Sequence, residues 1–357
     1  MEREVSVVQL GVGNVGSTLL RQILEHGDAT ADRTGVRIAP IAIADVSGLL
    51  FDPNGLPERT LWSVLEATSD GGLLDTLPQT LPLSQVSEAL RSDLILADVT
   101  ASPKTEPTLR AALDVGAGVV LANKIPLAQP WSQARSLLEH PNLRYEVTVG
   151  AGLPVIDTLH YLLDTGDRVT TIEGCLSGTL GYLCAELEKG VGYSEAVANA
   201  RELGYTEPNP RDDLSGKDVA RKALILGRTA GWPLEESDLE IEALYPEEMD
   251  TLDADEFLAT ASALDEDYAA RVKEAAARGK VLRYVARVRP DGGTVGLLEV
   301  DRDSPLGALR GPANYIALHT VRYDEVPLVL SGPGAGREVT AAGVFGDILD
   351  LACGRMK

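Results

Sequence analysis

The stretch Val5-Ser6-Val7-Val8-Gln9-Leu10-Gly11-Val12-Gly13-Asn14-Val15-Gly16-Ser17-Thr18-Leu19-Leu20-Arg21-Gln22-Ile23-Leu24 carries the reading of the fold. Residues 5–10 are a short β-branched run, the composition of a strand buried on both faces of a parallel sheet. The run passes straight into Gly11-Val12-Gly13-Asn14-Val15-Gly16, and residues 17–24 then follow a helical pattern. A G-x-G-x-x-G turn between strand and helix lets the backbone approach a pyrophosphate, which sits on the positive end of the helix. Gly11, Gly13, Asn14, Val15 and Gly16 are therefore expected to contact a dinucleotide. The competing reading, a merely tight strand–helix turn, has less in its favour in this context.

Working outward, residues 38–45 read as a second strand, with residues 26–37 as an inserted loop before it. Asp45 ends that strand, where an acid can accept both ribose hydroxyls and would repel a ribose phosphate, which leans toward NAD over NADP. Capping a helix is its simpler alternative. Residues 92–100 form another buried strand ending in Thr100-Ala101-Ser102-Pro103, small residues suited to the nicotinamide side of the crevice. A helix over residues 106–116 leads to the strand around Gly118-Val119-Val120-Leu121, and Lys124 stands just past its carboxyl end, where open α/β sheets bind ligands. Residues 143–154 begin as a strand and become a glycine-rich turn, where Glu146 beside exposed carbonyls could hold a hard cation.

From Pro154 the alternation of strand and helix stops. Helical patterns cover residues 156–163, 181–189 and 194–202, with a strand and turn over 169–179. Residues 281–288 and 294–300 alternate around Asp291-Gly292-Gly293 as a hairpin, and 314–321 and 328–330 add strands. This half is expected to be α+β with a mixed sheet, a flat surface suited to a homodimer. The fold class is thus α/β: a Rossmann-type dinucleotide-binding domain over residues 1–150, then an α+β catalytic and dimerisation domain over 151–330. Residues 331–357, a glycine loop and a small-residue helix, are expected to return to the first domain.

Within the second half, residues 204–222 concentrate charge. Glu207-Pro208-Asn209-Pro210 presents Glu207 on a stiff, extended segment in which two prolines oppose helix. Asp212, Asp213 and Ser215 offer capping oxygens, and helix is expected from about Asp218. Asp218 and Lys222, four apart, share one face. Taken alone they could be an ordinary surface ion pair.

Composition narrows the function. The 357 residues suit two domains, 44% are hydrophobic, and the formal charge of −22 argues against nucleic acid or an anionic membrane as partner. Three cysteines form no framework, which suits a reducing cytoplasm. The chain has no basic-then-apolar leader and no membrane-length apolar run.

Together Gly11–Gly16, Ala122-Asn123-Lys124, Tyr145-Glu146-Val147-Thr148-Val149-Gly150-Ala151-Gly152-Leu153-Pro154, Leu176-Ser177-Gly178-Thr179-Leu180-Gly181-Tyr182, residues 204–222 and Val339-Thr340-Ala341-Ala342-Gly343-Val344 resemble homoserine dehydrogenase, over residues 11–347. The resemblance implies reversible NAD(P)-dependent oxidation of L-homoserine to L-aspartate 4-semialdehyde, a step toward threonine, methionine and isoleucine, by a homodimer. By it Lys222, paired with Asp218, transfers the proton, and Lys124 sits where cofactor meets substrate. Glu207 binds the substrate's amino group, and Asp213 and Thr179 line the pocket. Thr100, Lys124 and Gly336 match cofactor contacts, with Ala101 and Ser102 beside them. Glu146 with the carbonyls of Val149, Ala151 and Leu153 matches a sodium site. Gly181 and Asn209 depart from the family, which commonly carries asparagine or serine at the first and aspartate at the second. The expected form is short and monofunctional, without threonine inhibition through an appended domain.

Three rivals remain. An acylating semialdehyde dehydrogenase would need an activated cysteine with a histidine base, and Cys175 lies in a strand pattern. Another NAD(P)-dependent semialdehyde or amino-acid dehydrogenase would share most of these features. A catalytically silent NAD-binding sensor would have no use for Asp218, Lys222, Lys124 and Glu207.

Overall fold

A computed structural model describes residues 2–354. The chain folds as two units, one made of the residues up to Pro154 together with those from Gly336 onward, the other of Val155–Ala335.

In the first unit, β1 (Arg3–Leu10), β2 (Val36–Ala44), β3 (Leu49–Phe51), β4 (Leu94–Asp98), β5 (Gly118–Leu121) and β6 (Leu143–Arg144) form one sheet in the order β3-β2-β1-β4-β5-β6. All neighbours are parallel except the short edge strand β3, which runs antiparallel to β2. The strand order reverses between β1 and β4, and ligands of open α/β sheets bind at such a switch point. Helices α1 (Asn14–Thr34), α2 (Glu58–Ala67), α3 (Glu106–Asp114), α4 (Ile125–Ala128) and α5 (Trp131–Leu138) connect the strands. On one face Val5, Val7, Ile95, Ala97 and Val120 pack with Leu19 and Ile23 of α1 and with Ala341, Val344, Phe345 and Ile348 of the C-terminal helix Arg337–Ala352. On the other, Ile43 and Leu50 pack with Val12, Leu20, Leu61, Val64 and Leu74. Each buried Val, Leu or Ile contributes about 1.5–3 kcal/mol, so these two layers hold the sheet.

Two expectations are corrected here. Residues 26–37 are not an inserted loop: α1 continues to Thr34 and stops at Gly35, whose φ of 72° and N–H bond to the Ala31 carbonyl close the helix. The second half of α1 is polar because it lies mostly against solvent, so the apolar signal fades while the helix does not. The strand expected to open the stretch 143–154 is short and ends at Arg144, because Glu146–Thr148 turns into a 3-10 segment. There the Glu146 N–H donates to the Asp347 carboxylate at 2.9 Å, and Thr148 closes onto the Tyr145 carbonyl.

The second unit carries α6 (Val155–Asp164), β7 (Val169–Cys175), α7 (Gly178–Glu188), α8 (Tyr193–Glu202), α9 (Pro210–Leu214), α10 (Lys217–Thr229), β8 (Leu239–Ile241), α11 (Ala254–Thr260), α12 (Asp265–Ala277), β9 (Lys280–Arg289), β10 (Gly292–Asp301), β11 (Ala313–Thr320) and β12 (Leu328–Pro333). Its sheet runs β12-β11-β7-β9-β10-β8 and is mixed, with β10 and β8 parallel and the other pairs antiparallel. The β9–β10 hairpin turns between Arg289 and Gly292, as the Asp-Gly-Gly signal predicts. α10 is amphipathic: Val219, Ala220, Ala223, Leu224 and Leu226 are buried, and it packs on β9 and β7.

The proline-rich stretch is not wholly extended. Pro210 opens α9, where a proline at the first helical position costs nothing, and Asn209 caps it by accepting from the Arg211 N–H at 3.3 Å. That cap gives Asn209 a local role at its departure from the family.

Candidate active site

In the first unit the glycine turn is held from beneath. Gln9 is fully buried, and its amide donates to the carbonyls of Gly11 at 2.8 Å and Gly16 at 3.0 Å. Gly11 has a φ of 102°, open to glycine but costly for other residues. A Cβ on Gly16 would lie 2.2 Å from the Gly11 carbonyl oxygen, whereas one on Gly13 would meet nothing within 4 Å. Gly13 caps α1 with no side-chain partner, and the first turn of α1 holds no acid, so its N–H groups and dipole are left for an anion. A tight turn, an open face over Gly13 and a helix start fit a dinucleotide pyrophosphate.

The loop after β4 is fixed by a network the sequence reading missed. Asp98 is fully buried at the strand end. One carboxylate oxygen accepts from the Thr100 N–H at 3.0 Å and hydroxyl at 2.7 Å; the other accepts from Thr105 at 2.6 Å and Asn123 at 3.1 Å. Asn123 also donates to the Ser102 carbonyl at 2.8 Å and accepts from the Ile125 N–H at 3.1 Å. One buried pair thereby sets the backbone of Thr100, Ala101 and Ser102 and of Lys124, which caps the start of α4. The available signals were an acid closing an apolar strand and a lone glutamine in a β-branched run.

Asp45 lies just past β2 and is engaged locally. Its Oδ1 accepts from the N–H groups of Ser47 (2.7 Å) and Gly48 (3.1 Å) and the Ser47 hydroxyl (2.6 Å); Oδ2 accepts from the Leu74 N–H at 2.9 Å. It holds its own turn and also accepts from the first N–H of the 3-10 segment Leu74–Thr76. Gly336, with φ 133°, starts the C-terminal helix, and its carbonyl accepts from both the N–H and the hydroxyl of Thr340. Glu146 and Asp347 are both buried, and the turn beyond them carries Ala151 at φ 55° and a Leu153 N–H bond to Gly150. No group of three or more His, Cys, Asp or Glu side chains is placed to hold a metal among the described residues.

In the second unit, α10 directs the Lys222 ammonium to two acceptors: the Leu176 carbonyl at 2.8 Å and Asp218 at 2.9 Å. Lys222 is mostly buried, at 13% exposure, while Asp218 is half open at 46%. Leu176 directly follows β7, and three residues on Thr179 donates to the Tyr205 carbonyl at 2.6 Å and to Asp213 at 3.2 Å. The other Asp213 oxygen accepts the Glu207 N–H at 2.8 Å. So Asp213 does not cap α10; it ties the Glu207 loop to the β7–α7 turn. Burial pushes the Asp213 carboxyl above its ordinary range, and the nearby negative charges of Glu207 and Asp218 add to that. Glu207 itself is exposed. A Cβ on Gly181 would come within 2.9 Å of the Gly311 carbonyl oxygen, which accounts for glycine at that departure.

The thiol rival loses its nucleophile. Cys175 is buried among Val285, Leu306, Tyr315 and Ala317, and burial pushes its thiol far above the range of a reactive cysteine. Cys184 is likewise buried and pushed up to about 11.

The homoserine dehydrogenase family profile matches residues 154–349. A bifunctional aspartokinase/homoserine dehydrogenase from Haemophilus influenzae is 39% identical over 98% of this chain and 43% of its own length. Homoserine dehydrogenase from Saccharomyces cerevisiae is 35% identical over 98% of each chain. Among solved structures, a Candida auris protein of unknown function matches with a TM-score of 0.86 at 31% identity, covering 99% of each chain. A hyperthermophilic archaeal homoserine dehydrogenase in complex with NADPH matches with a TM-score of 0.73 at 25% identity, covering 98% of each. The chain spans 43% and 38% of the length of the first two bifunctional relatives it matches. A switch-point glycine turn on a largely parallel sheet, in a chain that also carries a mixed-sheet unit, defines a protein of the Rossmann-type dinucleotide-binding fold class. Within that class the chain belongs to the homoserine dehydrogenase family.

Proposed function

We propose that this chain catalyses the reversible oxidation of L-homoserine to L-aspartate 4-semialdehyde in the synthesis of threonine and methionine. The observation that carries the reading is the Lys222 ammonium, mostly buried and aimed by Leu176 and Asp218, beside the Thr179–Asp213–Glu207 cluster. The first unit would serve as the dinucleotide-binding domain and the second as the substrate and dimerisation domain.

The bound dinucleotide supplies the hydride acceptor or donor. Gly11, Gly13, Asn14, Val15 and Gly16 would hold its pyrophosphate, with Thr100, Ala101, Ser102, Lys124 and Gly336 on the nicotinamide side. Asp45 would face the ribose, and its negative charge favours NAD over NADP. In the reductive direction Lys222 donates a proton to the substrate oxygen as that oxygen gains negative charge, and oxidation returns the proton to the amine. Asp218 and the Leu176 carbonyl orient the ammonium. Glu207 would take the substrate's ammonium group, held in place by Asp213 and Thr179. A buried carboxylate beside a carbonyl-rich turn is a hard-oxygen donor set, so Glu146, Val149, Ala151 and Leu153 would hold a sodium ion. The second unit's sheet, whose edge strand β12 alternates in exposure and leaves Val329 open, suits pairing of two copies in the cytoplasm.

The test follows reduced dinucleotide by absorbance with homoserine and each cofactor. No hydride transfer by folded protein with either would overturn the assignment. Lys222→Met, which keeps the stem, should lower kcat by about 10²–10⁴ with dinucleotide affinity unchanged.

A further inference from the structure

Asn314, at the start of β11, is fully buried, yet neither its amide oxygen nor its amide nitrogen has a hydrogen-bond partner among the described residues. Buried polar groups are nearly always paired, so one left unpaired on both sides asks for a reason beyond packing. Its surroundings supply one. The side chain lies flat against Gly334: a Cβ there would fall 1.8 Å from Asn314 Cγ, 2.0 Å from Oδ1 and 2.1 Å from Nδ2. Gly334 belongs to the segment Gly334-Ala335-Gly336, which leaves β12 and enters the C-terminal helix. Among the described residues, no backbone partner is found for the N–H groups of this segment. Beneath Asn314 the sheet is firmly set: its carbonyl accepts from Ser331 at 3.0 Å, and Asn314 pairs with Gly332. Its neighbour Tyr315 pairs with Cys175, the last residue of β7, and Leu176, whose carbonyl accepts from Lys222, follows directly.

We propose that Asn314 is a positioning residue that acts through the Gly334–Gly336 backbone. Its amide takes up hydrogen bonds with the backbone of that segment when dinucleotide binds, fixing Gly334 and Ala335 and, through the chain, the adjoining Gly336. This rests on the dinucleotide-binding role given above to Gly336. The unpaired amide is then a cost to the unliganded protein that binding removes, the usual sign of a residue kept for function rather than stability.

The test is Asn314→Leu, an apolar side chain of similar size, with affinities for NADPH and NADH measured by fluorescence quenching and melting followed separately. A residue that only packs would leave affinity unchanged while the variant melts at the same or a higher temperature. The expected result is an unchanged or raised melting temperature together with roughly 10-fold weaker dinucleotide binding, about one hydrogen bond's worth. If the leucine variant does not fold, Asn314→Ser, which keeps a short acceptor, should weaken binding by a smaller factor. Affinity equal to the parent's in whichever variant folds overturns the proposal. A parent that binds dinucleotide but does not oxidise homoserine would refute the proposed activity and leave this inference standing.

Discussion

Replacing Gly13 by alanine separates folding from binding at the glycine turn. Gly13 has φ −69° and ψ −162°, an extended conformation any residue adopts, and a Cβ there meets nothing within 4 Å. The folded state is therefore untouched, and the unfolded chain loses freedom, so the variant should be as stable as the parent or about 0.4–1 kcal/mol more so. In the proposed binding mode the backbone approaches a pyrophosphate across this same open face, and a methyl group there would hold the phosphates off. Losing one or two charge-assisted bonds weakens dinucleotide binding roughly 10–100-fold. Gly16→Ala is the contrasting case: its Cβ would sit 2.2 Å from the Gly11 carbonyl oxygen, so the turn must open and the Gln9 bonds that hold it are disturbed. That overpacking costs about 1–3 kcal/mol or more. Thermal melting and titration with NADPH and NADH read both quantities. If Gly13→Ala binds dinucleotide as tightly as the parent, the pyrophosphate does not lie over Gly13 and the argument from the turn fails.

Asp98→Asn should destabilise the first unit by about 1–3 kcal/mol, since the new amide cannot accept from all four donors, and melting measures it. Cys175→Ser should keep most activity, and a thiol reagent should react slowly with the folded protein; a loss of more than about tenfold in kcat would restore the thiol mechanism. Asp213 has its folded pKa raised above the ordinary 3.8, so its protonated form favours folding: that contribution is full below the ordinary value and is lost as pH rises through the higher folded one. Melting of the parent relative to Asp213→Asn should therefore be most favourable in acid and fall as pH rises; a difference independent of pH would refute the raised value.

Much of this was legible in the sequence. The β-branched run into Gly11–Gly16 identified the Rossmann unit because a pyrophosphate turn needs those glycines at that spacing, and the Asp-Gly-Gly hairpin followed from local turn chemistry alone. Lys222 and Asp218 were paired by helical spacing, which needs no tertiary contact. Tertiary structure decided the rest. Helix α1 outlasted its apolar signal because its later turns meet solvent, and the strand after Arg144 broke because Asp347, about two hundred residues away, takes the Glu146 N–H. Asp45 turned out also to anchor local backbone at Ser47, Gly48 and Leu74, and Asp213 to tie the Glu207 loop rather than cap α10. Gln9, Asp98 and Asn314 gave almost no signal, because each is a lone polar residue whose meaning depends on which partners the folded turn or sheet brings to it, or on their absence. Local spacing is written in the chain; which donor finds which acceptor across it is settled only when the chain has folded.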